Sequence, residues 1–206
     1  MYDSAAYNSL PSLRSAASLV DDAARANLVG PVRQFFLDHT AHRQYGIVLL
    51  HKHFTIKDAE RLVECRHSST TWKVGHEQMD IVPQYEGLIA PRSFRLYKGA
   101  AVPYEFAYSK EAPRLNDTFQ TGALEMLKHH GLDQIFGLRC LDDYDPNLSI
   151  EITEGKTNIM LSRGSVPQSE LIEALCVFGD DDNDRCHCRE HCWPTKGGHE
   201  QDHSCG

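Results

Sequence analysis

The chain has 206 residues, of which 41% are hydrophobic and 24% are charged, and its formal net charge is −8 with the histidines neutral. That length fits one domain, or one domain with an appended module. The overall negative charge repels a phosphate backbone and so argues against nucleic acid as a partner. The longest apolar run, residues 46–50, is far shorter than the roughly 20 residues that a membrane-spanning helix needs. No membrane partner is therefore expected.

Residues 1–5 lack the basic and apolar regions of a secretory leader, which predicts a cytoplasmic or nuclear protein rather than a secreted one. This location decides how the seven cysteines are interpreted. In a reducing compartment, closely spaced cysteine and histidine side chains bind metal more often than they form disulfides.

The first forty residues have the pattern of helices. Apolar residues recur at helical spacing from Leu13 to Leu28, and the pair Gly30-Pro31 ends this helix. A second short helix is predicted at 32–39.

The centre of the chain is rich in predicted strands. Residues 45–50 form a continuous apolar run of strand length. Polar and apolar residues alternate in four further segments: 61–65, 71–74, 93–97 and 101–108. The alternation predicts an antiparallel sheet with one covered face. Glu105, between Tyr104 and Phe106, is therefore expected to face solvent.

A helix is predicted at 115–130, with Asp117 as its N-cap and Gly131 at its C-terminal end. Strands are predicted at 135–141, 148–153 and 158–162, and the segment 169–178 fits either a helix or a strand. Helices first, a sheet-rich centre and one interrupting helix together predict the α+β class.

An acidic run at 180–184 resembles a solvated connector and predicts a domain boundary. We expect an α+β domain at 1–179 and a Cys/His-rich, zinc-binding extension at 180–206. The last 21 residues contain four of the seven cysteines and four of the twelve histidines. The predicted metal ligands of this extension are Cys186, Cys188, Cys192, His199, His203 and Cys205.

Zinc accepts four thiolate or imidazole ligands in a tetrahedron, and enough ligands to close the site favour a structural ion. One possible set is Cys188 and Cys192 with His199 and His203. Another is the three cysteines at 186, 188 and 192 with Cys205 or His203. The spacing does not choose between these sets, or between one ion and two. The alternatives to metal binding are disulfides formed after oxidation, docking with free thiols, or a disordered, metal-free tail.

A second candidate site follows the apolar strand. His51 and His53 share a face if the chain there is extended, and Asp58 and Glu64 follow closely. Two imidazoles and a carboxylate can hold zinc, iron or manganese and leave a position open for substrate. The alternative is that the two histidines simply end a strand.

The segment Tyr45-Gly46-Ile47-Val48-Leu49-Leu50-His51-Lys52-His53-Phe54, then Pro103-Tyr104-Glu105-Phe106, Gly131-Leu132 and the Cys/His tail resemble a group of uncharacterised proteins from filamentous fungi. The resemblance spans most of the chain. It implies a fungal, intracellular protein, and no activity or catalytic residue.

Three functions are consistent with these patterns, the third being metal handling, with the thiol-rich tail as an acceptor of zinc or copper. The first is an intracellular zinc protein with a binding or regulatory role, whose partner is a small molecule or a protein. The second is a metal-dependent enzyme that acts on a small molecule at His51 and His53, with Asp58 or Glu64 completing the metal site or serving as a base.

Overall fold

The computed structural model describes residues 4–73, 80–82, 87–111, 115–141, 148–180 and 186–194. Helices come first in this part of the chain. They are α1 (Ser4–Asn8), α2 (Leu13–Ala17), α3 (Asp22–Asn27) and α4 (Arg33–Asp38), with a π-helical turn at Leu28–Val32 between α3 and α4.

The single helix predicted before Gly30 is two helices. Ser12 accepts a hydrogen bond from the backbone N–H of Ser15, and Asp21 accepts one from that of Ala24. Side chains that cap in this way begin a helix, so Asp21 starts a new helix.

The strands account for most of the remaining structure. They are β1 (Tyr45–Leu49), β2 (Glu60–Cys65), β3 (Ser68–Lys73), β4 (Asp80–Val82), β5 (Gly87–Tyr97), β6 (Ala100–Ser109), β7 (Phe136–Cys140), β8 (Leu148–Glu154), β9 (Thr157–Ser162), β10 (Ile172–Val177) and β11 (His187–Trp193). A 3-10 turn at Gln168–Glu170 precedes β10, so the ambiguous segment 169–178 contains a strand.

Ten of these strands form one closed barrel in the order β5-β6-β2-β3-β9-β8-β11-β10-β1-β7. The barrel closes where β7 pairs with β5, through Ser93 opposite Arg139 and Phe94 opposite Leu138. The pairs β2–β6 and β8–β11 are parallel, and the other pairs of the barrel are antiparallel. Strand β4 lies outside the ring and pairs with the first part of β5.

Closure at β5–β7 requires a glycine. A Cβ atom on Gly137 would lie 2.5 Å from the carbonyl oxygen of Phe94 and 2.9 Å from the Leu50 side chain. Real Cβ atoms do not approach a carbonyl oxygen that closely, so any larger residue at 137 would push the two strands apart.

The predicted α+β class is wrong, because the fold is a mixed, mostly β barrel with few helices. The expected separate metal module is also wrong as a part of the fold. Strand β11 lies between β8 and β10 and is one of the ten strands that form the barrel. The period-2 pattern predicts an antiparallel sheet with one covered face. The sheet instead contains two parallel pairs, and because it is closed it covers one face with its own interior.

Helix α5 (Asp117–His129) was predicted, although Asn116 and not Asp117 accepts the capping hydrogen bond, from the N–H of Phe119. Gly131 has a φ of +69°, as expected at a helix C-terminus. The helix packs against the outer surface of the barrel together with α4, and Phe119 meets Phe36 edge to face at 5.1 Å between ring centroids.

The two faces of β1 pack against different apolar clusters. Tyr45, Ile47 and Leu49 belong to the apolar cluster beneath the helices, whereas Val48 belongs to a second cluster, together with Leu50 just after the strand and Tyr7 of α1. Within the described ranges, no helix combines the length and apolarity needed to cross a membrane.

Candidate metal centre inside the barrel

Polar side chains from five strands and from the segment after β1 converge inside the barrel. Strands on opposite sides of a closed sheet can bring side chains together only in its interior. The converging residues are His51, His53, Glu64, Glu105, Arg139, Glu151, Glu190 and Cys192. Buried charges on this scale are costly unless they are paired or bind a metal.

The segment that carries the two histidines is held by the first helices. The backbone N–H of Lys52 donates to the carbonyl oxygen of Pro11 at 2.9 Å. The backbone N–H of His53 donates to the Tyr7 hydroxyl at 3.0 Å. These two bonds fix the chain directly after His51, and the backbone N–H of Leu50 donates to the carbonyl oxygen of Ile135 at 2.8 Å just before it. The imidazoles therefore enter the barrel in a defined orientation.

His51, Glu151 and Cys192 place one donor atom each within 4.8 Å of one another, and all three residues are buried. His51 Nε2 lies 3.6 Å from Cys192 Sγ, which lies 3.4 Å from Glu151 Oε1. A tetrahedral zinc ion with Zn–S of about 2.3 Å and Zn–N of about 2.1 Å separates its sulfur and nitrogen ligands by about 3.6 Å. The two separations that involve Cys192 Sγ match edges of such a tetrahedron, and the donor atoms of His51 and Glu151 lie within 4.8 Å of each other.

The tautomer of His51 suits a metal ligand. Its Nδ1 lies 2.9 Å from the carbonyl oxygen of Leu49. Because a carbonyl oxygen can only accept, Nδ1 carries the proton and Nε2 keeps the lone pair that faces Cys192. Burial, reinforced by the neighbouring His53, lowers the pKa of His51 to about 3, so the imidazole is neutral.

Without a cation, the other two donors hold their protons more tightly than usual. Burial raises the pKa of Glu151 to about 7, with His53 opposing this effect and Glu190 adding to it. Burial also raises the pKa of the Cys192 thiol well above its usual value, and the charge of Glu151 adds to this. A divalent cation would reverse both shifts, because it favours the deprotonated ligands.

His53 lies between two carboxylates. Its Nδ1 is 3.4 Å from Glu151 Oε1, and its Nε2 is 3.6 Å from Glu105 Oε1. Burial opposes protonation, but the carboxylates outweigh it and raise the pKa of His53. Burial would likewise raise the pKa of Glu105, yet His53 and Arg139 outweigh it and lower that pKa to about 2.

Arg139 links the remaining acidic groups. Its guanidinium lies 3.3 Å from Glu190, 3.2 Å from Glu64 and 3.9 Å from Glu105, and Arg92 forms a second ion pair with Glu64. Burial opposes ionisation of Glu64, but Arg92 and Arg139 outweigh it and lower the pKa of Glu64.

The charges of this network do not balance without a further proton or cation. In the network as described, four carboxylates meet two guanidiniums and, when His53 is protonated, one imidazolium. The carboxylate in excess is Glu151, whose pKa is raised. A proton or a metal ion at Glu151 would restore the balance.

Cys192 and His51 also have the composition of a nucleophilic pair. A reactive cysteine requires a lowered thiol pKa and an open approach. Cys192 is 0% exposed and its thiol pKa is raised. Its surroundings therefore favour metal ligation over attack on a substrate.

The predicted histidine pair lies in this centre, with 4.7 Å between the ring centroids of His51 and His53. Glu64 lies in the same network, where it pairs with arginines. Asp58 is exposed and accepts a hydrogen bond from Ser4 at 2.8 Å. The carboxylates that meet the histidines are instead Glu151 and Glu105.

Sequence patterns do not identify Glu105 and Glu151 as facing the interior, because polar and apolar residues alternate along both of their strands. Glu105, expected to face solvent, is 13% exposed because that face of β6 lines the barrel. Glu151 alternates with Ile150 and Ile152 in the same way. A polar residue on the inner face of a closed sheet has the same pattern as one on a solvated face, so no local signal separates them.

The cysteines of the predicted extension lie in different surroundings. Cys186 forms a disulfide with Cys176. The Cys188 thiol donates to the carbonyl oxygen of Glu190 at 2.9 Å. Cys192 contacts His51 inside the barrel. The other predicted ligands, His199, His203 and Cys205, lie outside the described residues.

Comparisons with protein-family models, with curated proteins and with solved structures gave no match to this chain. The resemblance to a filamentous-fungal group therefore stays an expectation from sequence. A functional assignment has to rest on the chemistry of the residues themselves.

Proposed function

We propose that this chain is a zinc-binding protein that holds one ion inside the barrel through His51, Glu151 and Cys192. The observation that carries the proposal is the geometry of the three donors. The imidazole–thiol and thiol–carboxylate separations are those of a zinc tetrahedron, and all three donors lie within 4.8 Å of one another.

The donor types favour zinc over other common ions. Calcium and magnesium prefer sites made of oxygen atoms alone. Sulfur, nitrogen and oxygen together suit zinc, and other first-row metals compete mainly through affinity and availability. The bond from His51 Nδ1–H to Leu49 is also the kind of outer contact that orients metal-bound histidines.

The burial of the donors supports a binding or regulatory role rather than catalysis. The ion would connect the segment after β1 with β8 and β11, which are distant in the chain. It would also neutralise the carboxylate in excess, so that folding and metal binding would be coupled.

Metal content and unfolding temperature test the proposal. Purified protein is expected to contain zinc, and His51→Gln is expected to contain one ion fewer per chain. His129→Gln changes an exposed histidine of α5 and serves as the matched control with unchanged zinc. In the absence of a reductant, a chelator should lower the unfolding temperature of the wild type and of the control, but not that of His51→Gln. Equal zinc content in both variants would overturn the proposal.

One observation favours a metal-dependent enzyme as the second candidate. Three protein ligands leave a fourth zinc position for water or substrate, and His53 contacts the ligand Glu151 at 3.4 Å, where it could exchange a proton. Cobalt-substituted protein separates the two functions. A small hydroxamic acid should change the cobalt absorption spectrum if that position is accessible, and should leave it unchanged if the ion is sealed in the barrel.

A further inference from the structure

A separate cleft of about 910 Å³ lies on the outside of the barrel. Its walls come from the α2–α3 region and from the outer faces of β1, β8, β10 and β11, and Ile47, Leu49 and Ile150 contribute apolar surface. One wall carries four side chains that can bind metal: Cys176, Cys186, Cys188 and His191.

These four side chains are neighbours. Cys176 and Cys186 are joined by a disulfide, and Cys176 is directly opposite Cys188 in the β10–β11 ladder. Opposite residues of an antiparallel pair have Cβ atoms about 4.5–5.5 Å apart. His191 Nδ1 lies 3.7 Å from Cys188 Sγ, close to the sulfur–nitrogen edge of about 3.6 Å in a zinc tetrahedron.

Irregular pairing between β10 and β11 makes this cluster possible. In a regular strand Cys188 and Cys192 would share a face. The register shifts near Leu175 let Cys188 line the cleft while Cys192 faces His51 in the barrel. His191 is opposite Ile150, which also lines the cleft. On β11, Cys192 therefore lies on the face that lines the barrel, and Cys188 and His191 lie on the face that lines the cleft.

Independently of the centre inside the barrel, we propose that reduction of the Cys176–Cys186 disulfide creates a second zinc site from Cys176, Cys186, Cys188 and His191. Three thiolates and one imidazole form a complete structural zinc ligand set. The oxidised chain lacks two of these ligands, because sulfur atoms joined to each other are not thiolates. The cleft wall is thus a redox-dependent metal site.

The conversion balances with a dithiol as reductant. The S–S bond between Cys176 and Cys186 breaks, and each sulfur gains one electron and one proton from the dithiol, which becomes a disulfide. Zinc then displaces one proton from each of the three thiols, while His191 coordinates as neutral imidazole. A small disulfide expels the ion by the reverse steps: it takes up two electrons and two protons to become two thiols, while Cys176 and Cys186 form their S–S bond again and Cys188 regains its proton from solvent.

Zinc counts on the full chain, reduced by a dithiol or left oxidised, test this inference. The reduced wild type is expected to bind one zinc ion more than the oxidised wild type. Cys176→Ser and Cys188→Ser should lose that difference, and Cys65→Ser, which changes a partly buried cysteine of β2, should keep it. Equal zinc binding by the reduced and oxidised wild type would overturn the inference.

Two further variants identify the ligands. Cys205→Ser should keep the additional ion, and its loss would overturn this ligand set in favour of one that uses the tail. His51→Gln should also keep it, so failure of the barrel site and failure of the cleft site give different results.

Alkylation of the reduced wild type avoids any dependence on variant folding. Zinc should protect Cys176, Cys186 and Cys188 together from iodoacetamide, as read by mass spectrometry. Unchanged labelling of these three cysteines with and without zinc would contradict the inference.

Discussion

His51 and Cys192 meet inside the barrel with 3.6 Å between Nε2 and Sγ, although 141 residues separate them in the chain. The contact forms because β1 and β11 are neighbours of the same strand, β10. It joins the strongest candidate from the middle of the sequence to one from the Cys/His-rich end, which sequence patterns place in two separate sites.

Zinc binding is expected to weaken steeply in acid. The pKa of Glu151 is raised to about 7, and that of Cys192 is raised further. Below pH 7 both groups release a proton when zinc binds, so the affinity should fall about 100-fold per pH unit, against about 10-fold above pH 7. Competition with a chromophoric chelator measures this dependence, and a pH-independent affinity would rule out these two ligands.

The metal-free chain should lose stability in acid through His51. Its folded pKa is about 3, against about 6.5 in an unfolded chain. Below pH 6.5 the unfolded chain gains a proton that the folded chain does not, so this contribution to stability falls until about pH 3. The free energy of unfolding of wild type relative to His51→Gln should fall by on the order of 1 kcal/mol per pH unit. Urea titrations of both proteins at pH 6.5 and 5 check the slope, and parallel pH profiles would contradict it.

Tyr7→Phe is expected to destabilise the chain by about 1–3 kcal/mol, because it leaves a buried N–H without its acceptor. The N–H belongs to His53, which donates to the Tyr7 hydroxyl at 3.0 Å. The same change should weaken zinc binding, since it frees the segment that orients His51. Tyr97→Phe at the end of β5 is the matched control, and equal unfolding midpoints for the two variants would argue against this role.

Removal of Arg139 should be among the most damaging single changes. Arg139→Met leaves carboxylates of Glu64, Glu105 and Glu190 buried with less compensation, and breaking a buried ion network costs about 3–5 kcal/mol. Arg43→Met removes an exposed pair with Asp180 and should not shift the urea midpoint. Similar midpoints for both variants would show that the buried network contributes little.

Gly137→Ala tests closure of the barrel. The added methyl group would lie 2.5 Å from the Phe94 carbonyl oxygen, and strand separation of this kind costs about 1–3 kcal/mol. Gly30→Ala adds the same methyl group where no atom lies within 4 Å. Urea unfolding should separate the two variants, and hydrogen exchange should rise at β5 and β7 in Gly137→Ala only.

Local elements could be predicted because short-range patterns determine them. The apolar run that forms β1 and the helix that ends before Gly131 are confirmed. The barrel could not be predicted, since it depends on pairing between β5 and β7, whose partners Ser93 and Arg139 are far apart in the chain. Neither segment contains a sequence pattern that predicts this pairing.

The candidate site shows the same division. Sequence patterns selected His51, His53 and Cys192 from their residue types and spacing. They could not group His51 with Cys192, or find Glu151, because these residues meet only after β1, β8 and β11 take their places in the barrel. Residue type and spacing in the sequence identify candidate ligands, whereas the order of the strands in the barrel decides which of them come together.

Strand β11 is the last described strand along the chain, yet it lies between β8 and β10. During synthesis the earlier strands therefore emerge as an open sheet with two unpaired edges, which are prone to aggregation. Strand β11, which fills this gap, also carries Cys192 and Glu190, whose side chains are buried inside the barrel. We therefore expect newly made chains to depend on chaperones until β11 pairs with β8 and β10. A metal ion bound at that point would stabilise the closed barrel.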